Sequence, residues 1–342
     1  MDGEIDRKTA QDNRLRIDCH VHLVAVDRKN HGSFYRGADR NNFLYTAGRL
    51  FYGLHGKMSF AQFDDAYAEM LANMVRKSKY CDRAVLLAND GIYDKNGIFD
   101  ARTESVVSND WTAEVVRRYP DVFLFGASIH PNRKDALEEI ERCAEKGAVC
   151  VKWIPSSQNI EPSNERYLPF YERMLERGLV LLSHTGYEHS LMVTDQSLGD
   201  PKRLSLPLEV GLTVIAAHSG TSGWYHPIEY FPNFLRLCEK YDNLYGDTAA
   251  FTAPERFTYR KWILSSDLAK ERVIHGTDFP NPPLPILWSG TLGLKKALKI
   301  QFMRNVFDQD YMAKRESGFP EEHFRKGHEI FLKDNNALEK HR

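Results

Sequence analysis

Short apolar runs rich in β-branched residues recur along the chain, each ending in a Gly, Pro or Asn turn and each followed by a longer stretch of helical period. Eight such runs are found, at residues 16–23, 83–89, 122–131, 148–155, 179–186, 212–220, 244–251 and 272–280. Between them, residues 64–79, 134–146, 164–177, 227–241 and 253–270 carry amphipathic helical spacing. Runs such as Leu179-Val180-Leu181-Leu182 and Val214-Ile215-Ala216-Ala217 are apolar on both faces. Parallel strands have this character when crossover helices cover both sides.

Eight strand–helix alternations predict an α/β chain folded as a closed (β/α)8 TIM barrel, with residues 1–342 forming one barrel domain. An open doubly wound sheet is the alternative, but the Gly-rich phosphate loop expected after its first strand is missing. Two departures from a minimal barrel are expected. Residues 26–60 form a long insertion after the first strand, a lid or a subunit contact, carrying His31, His55, Phe34, Tyr35, Phe43, Tyr45, Phe51 and Tyr52. The tail after Leu292 reads as extra C-terminal helices packed outside.

Composition narrows the class. With 46 basic against 47 acidic residues and no recurring basic face, nothing is suited to a polyphosphate backbone, so nucleic acid is set aside. No apolar run reaches the roughly 18 residues of a membrane helix, and residues 1–16 lack a signal-peptide core; a cytoplasmic location is expected. Five scattered cysteines without CxxC spacing predict reduced, buried thiols. Cys19 is expected to face away from its neighbouring histidines and to pack in the core.

The first strand ends in Asp18-Cys19-His20-Val21-His22, and alternation places both imidazoles on one face, where they can reach one ion. His184, His218 and Asp278 close the fifth, sixth and eighth runs, each just before small or turn residues. C-terminal strand ends are where barrel enzymes carry their chemistry. Each residue alone is compatible with core packing; the coincidence at four strand ends is what points to a site. Three imidazoles and a carboxylate suit zinc, with iron, manganese or cobalt also feasible, and a water would complete the shell. Asp278 could take that water's proton while touching the ion, leaving His218 to polarise the substrate or protonate the leaving group.

Less determined candidates are His130, which ends the third run, and Arg133 beyond it, either a clamp for an anionic group or a surface residue. Glu188 and His189 follow His184 in a Gly-containing loop and either lean over the site or face solvent. Asp247, at the end of the seventh run, would bind substrate or hold a loop. His275 lies three residues before Asp278, so alternation turns it toward the helix layer.

The set formed by Asp18-Cys19-His20-Val21-His22, Gly147-Ala148-Val149-Cys150-Val151-Lys152, His184-Thr185-Gly186, His218-Ser219-Gly220 and Gly276-Thr277-Asp278-Phe279-Pro280 resembles the amidohydrolase superfamily, in its amidohydrolase-related branch of metal-dependent barrel hydrolases and decarboxylases. The resemblance implies that His20, His22, His184 and Asp278 hold the metal and that His218 is the catalytic histidine. In binuclear members of the superfamily a carboxylated lysine at the end of the fourth strand bridges two ions. Lys152 stands at that place, and the preferred expectation is one divalent ion, zinc first, with Lys152 pairing a substrate carboxylate. Three functions follow for a small-molecule substrate: hydrolysis of an amide, ester or lactone by a metal-activated water; non-oxidative decarboxylation of an aromatic or unsaturated acid; or a non-catalytic metal-binding barrel. An assembly of identical subunits is left open.

Overall fold

A computed structural model describes residues 12–332 except 40–45, 47, 48, 51, 52 and 55. Phe43, Tyr45, Phe51, Tyr52 and His55 of the expected insertion lie outside the described residues. All eight apolar runs contain a strand: β1 (Ile17–His22), β2 (Arg83–Leu87), β3 (Phe123–Ala127), β4 (Ala148–Trp153), β5 (Val180–His184), β6 (Val214–Ala217), β7 (Leu244–Asp247) and β8 (Val273–Ile274). They pair in sequence order, every pair parallel. The seam between β8 and β1 closes through Cys19 N–H to His275 O (3.1 Å), Asp278 N–H to His20 O (2.9 Å) and His22 N–H to Phe279 O (2.8 Å). The expected TIM barrel is therefore observed.

Alternation along each strand divides the core into two layers. Ile17, Val85, Leu87, Cys150, Leu182, Ile215 and Ile274 fill the barrel interior. Their neighbours Val151, Trp153, Leu181, Val214 and Ala216 pack outward with Phe170, Tyr171 and Phe234, which lie on helices Leu168–Glu176 and Phe231–Lys240. All five cysteines are free and buried, as expected.

β1 breaks the simple alternation. Asp18 pairs with Ala84 but Val21 with Leu86, so β1 carries one extra residue against β2 and bulges at Cys19-His20. Cys19 consequently does not face away from the histidines. Its Sγ lies 3.8 Å from the same Asp247 carboxylate oxygen that meets His20 Nδ1 at 2.9 Å, which places both side chains inside the barrel. Packing remains its role.

The insertion after β1 is anchored by Asp64, a buried carboxylate in the apolar stripe of helix Phe60–Lys77. Asp64 accepts from Val26 N, Asp27 N and His31 Nδ1, and the His31 ring stacks on Trp111 at 3.6 Å. Beyond His31, Phe34–Tyr35 pairs antiparallel with Ser105–Val106 as a small ribbon. Residues 253–270 are not one helix: turns run to Tyr259, and only Arg260–Leu264 and Asp267–Arg272 are helical. Helices Leu294–Gln301, Val306–Glu316 and Glu321–Phe331 form the expected tail. Among the described residues, no helix is long and apolar enough to cross a membrane.

Candidate metal centre and active site

A cavity of about 270 Å³ opens at the C-terminal ends of the strands, and His20, His22, Lys152, His184, His218 and Asp278 all line it. At its floor, His20 Nε2 and His22 Nε2 are 3.2 Å apart, and each is 3.2 Å from Asp278 Oδ1. His20 is fixed from behind, because its Nδ1–H donates to Asp247 Oδ2 at 2.9 Å, leaving the Nε2 lone pair to the cavity. Asn281 Nδ2 donates to Asp278 Oδ2 at 2.7 Å and so orients the carboxylate. Burial alone would raise the Asp278 carboxyl, but His20 and His22 pull it down to about 2. Burial, aided by the Lys152 charge, pushes His20 well below the usual imidazole range.

Around this floor stand four further polar groups. His184 Nδ1 faces Glu188 Oε2 at 3.4 Å, and its Nε2 is buried without a hydrogen-bond partner. Glu188 is itself held by Ser190 N–H and Leu191 N–H, and burial raises its carboxyl. His218, at a ring distance of 4.7 Å from His184, donates Nδ1–H to Ala249 O at 3.0 Å, so its unprotonated Nε2 is the nitrogen left over. Burial and then the Arg256 charge hold it well below the usual range. Lys152 Nζ lies 3.0 Å from His20 Nε2, and burial lowers its ammonium.

Two sequence candidates are not brought into the cavity. His130 is buried, but its Nε2 meets Gln158 O at 2.9 Å and its Nδ1 accepts from Asn132 N–H at 3.1 Å, so the ring is spent on loop structure. Arg133 pairs with Asp90 and Asp135 and lines a separate surface recess. His275 packs against Phe324 of the tail, as alternation implies. Asp247 does more than hold a loop: besides His20 it accepts His218 N–H at 2.7 Å.

Arg256 and Asn281 line the cavity without having been expected there, and Tyr35 of the insertion lines it too, the lid alternative of the two expected for that segment. Arg256 is hidden in the sequence by the helical period of residues 253–270. Pro254 and the turn around it, close after a strand that ends in Asp247, are the signal that would have found it. Its Nε donates to Thr221 O at 3.3 Å and its Nη2 to Tyr187 O at 2.9 Å, leaving Nη1 for the cavity. The ribbon partner of Tyr35, Ser105, also lines it, so the insertion covers part of the mouth.

The donor set fits a divalent cation. His20 Nε2 and Asp278 Oδ1 are both acceptors, and two lone pairs facing each other at 3.2 Å need a positive charge beside them. The Lys152 ammonium, 3.0 Å from His20 Nε2, supplies one, and a divalent ion among the three ligand atoms would serve all of them at once. Tetrahedral zinc, with bonds of about 2.0–2.1 Å, has ligand-to-ligand edges of roughly 3.3 Å, close to all three separations. The unpartnered, buried His184 Nε2 offers a fourth donor on the same cavity wall. His20, His22 and Asp278 are the cluster with metal-compatible spacing among the described residues.

Comparison with known proteins agrees with this architecture. An uncharacterized TIM-barrel protein of Bordetella bronchiseptica superposes with a TM-score of 0.55 at 18% identity, covering 87% of this chain and 99% of that one. An amidohydrolase of Burkholderia multivorans with bound zinc is similar at 0.49 and 11% identity, covering 89% of this chain and 96% of that one. A 5-carboxyvanillate decarboxylase of Novosphingobium aromaticivorans with bound manganese is similar at 0.45 and 15% identity, covering 92% and 98%. None of the curated proteins compared matches in sequence. A family model described as Amidohydrolase matches residues 17–300, which includes every strand of the barrel and every residue of the cavity floor, and the chain thus belongs to the amidohydrolase family.

Proposed function

We propose that the protein is a metal-dependent hydrolase acting on an amide, ester or lactone bond of a small carboxylated substrate. The observation that carries this reading is the mutual 3.2 Å spacing of His20 Nε2, His22 Nε2 and Asp278 Oδ1 at the floor of the cavity. One divalent ion would be held by these three with His184. When bound it supplies Lewis acidity and a water of lowered pKa.

The chain's own groups then divide the work. Asp278, its Oδ2 tied by Asn281, is the carboxylate placed to receive the water's proton. His218 Nε2, unprotonated because Nδ1–H is committed to Ala249 O, accepts a proton or passes one to the leaving group. Lys152 Nζ and Arg256 Nη1 are the cations available to a substrate carboxylate, and both are buried, so each ion pair with it would be little screened. Tyr35 and Ser105 of the ribbon and residues 188–191 line the cavity, where they would limit the access of water to a bound substrate.

Zinc content by elemental analysis, followed by turnover of a panel of carboxylated lactones, esters, amides and aromatic acids, tests the reading. Near one zinc per chain and ring opening or bond hydrolysis are expected. The apolar wall made by Leu23, Val24, Ala25, Val107, Ile154 and Leu191 favours a second reading, decarboxylation of an aromatic acid. Carbon dioxide release from aromatic acids without any hydrolysis would replace the first reading with the second.

A further inference from the structure

β8 is a strand of two residues, yet Asp278 stands four residues beyond its end and must meet His20 and His22 across the seam. Little of residues 275–278 is held by a regular ladder. His275 N–H donates to His323 O at 3.1 Å and Asp278 N–H to His20 O at 2.9 Å. Thr277 donates through N–H and Oγ1–H to the two oxygens of buried Asp18, at 3.0 and 2.6 Å. Gly276 is pressed between two layers. A Cβ built there would come within 3.0 Å of His20 Cβ and 3.2 Å of Cys19 Sγ, so its backbone rests against the base of a ligand.

The Gly276 carbonyl is met by Lys314, whose Nζ donates to it at 2.7 Å. Lys314 is fully buried, and its ion-pair partner is Asp310 Oδ1, one helical turn earlier, at 2.5 Å. Asp310 Oδ2 in turn accepts from Thr252 Oγ1 in the loop after β7. A buried ammonium is expensive, and apolar residues of the same volume would serve packing as well or better. What the ammonium adds is a charge-assisted hydrogen bond, strong and directional, to a carbonyl two residues from Asp278. Asp310, Lys314 and His323 all lie beyond residue 300, outside the span that matches the family model.

We propose that the buried Lys314–Asp310 pair of helix Val306–Glu316 is a positioning device for the metal centre, holding residues 275–278 so that Asp278 stays in register with His20 and His22. The inference rests on the metal-centre reading above. The two are tested together by zinc titration against a competing chelator, with thermal unfolding measured on the same samples. Lys314→Met is expected to lower zinc affinity by about 10–100-fold, the range seen when groups behind a ligand are removed. Asp310→Leu combined with Lys314→Met removes both charges, so folding is expected to survive, while zinc affinity falls by the same factor because the Gly276 carbonyl has lost its donor. If Lys314→Met does not fold, the double variant decides. Variants that bind zinc within twofold of wild type would overturn the positioning role and leave the metal centre standing. Wild-type protein that binds no zinc would overturn both.

Discussion

In sequence the end of β3 resembles the ends of β5 and β6: an apolar run closed by a histidine and a turn. In the structure they differ. Both ring nitrogens of His130 are consumed by Gln158 O and Asn132 N–H, whereas His184 keeps a buried Nε2 without a partner and His218 commits only Nδ1. The loops account for this. After β3 the chain turns at once, with Arg133 N–H bonded to His130 O at 3.1 Å, and helix Pro155–Gln158 presents its last carbonyl to the ring. After β5 the loop offers only Glu188, on the Nδ1 side. A strand-end histidine is available for chemistry where the following loop leaves it a nitrogen.

This contrast can be broken at several points. Asp278→Ala should have the largest effect, a loss of bound zinc by about 100-fold or more, beyond what removing a supporting group produces, together with loss of turnover, read by elemental analysis and assay. Next comes His218→Asn, expected to keep its zinc and to lower kcat/KM by about 10²–10⁴-fold, the worth of a general acid or base. Loss of zinc from that variant would move His218 into the ligand set. Asp247→Asn, which weakens the support behind His20, should reduce zinc affinity by about 10–100-fold in a chelator competition. Smallest in its effect is His130→Gln, outside the cavity, with unchanged zinc affinity and a stability loss of about 1–3 kcal/mol in urea unfolding at pH 7.

The same variant has a pH signature. Burial lowers His130 to about 4 against an ordinary 6.5, so the folded state prefers the neutral ring. Its contribution is fully present above about pH 6.5 and is lost as pH falls toward 4, because the unfolded chain takes up the proton first. About 3 kcal/mol is at stake, at 1.36 kcal/mol per unit. Urea unfolding between pH 4 and 7 should show a steeper decline for wild type than for His130→Gln, and parallel curves would deny His130 this role.

The barrel was legible because each of its strands is a continuous apolar run with a turn at its end, a signal carried within a few residues. The floor of the site and the two histidines beside it were legible for the same reason, since His20, His22 and Asp278, like His184 and His218, close such runs. What escaped depends on contacts between distant segments. The Cys19-His20 bulge appears only in the register of β1 against β2. The task of Asp247 depends on where His20 turns its Nδ1. Arg256 was masked because a helical period in residues 253–270 is interrupted by Pro254, and the turn swings the guanidinium inward.

The closing seam of the barrel carries a mechanical consequence. His20 and His22 belong to the first strand, Asp278 to the segment after the last, and the regular pairing between these two edges is sparse. A cation gripped by all three would act as a rivet across the join, so occupancy and closure of the cylinder become thermodynamically linked. Stripping the ion should then speed amide exchange first along residues 17–22 and 273–279, before the interior of β4 to β6 loosens.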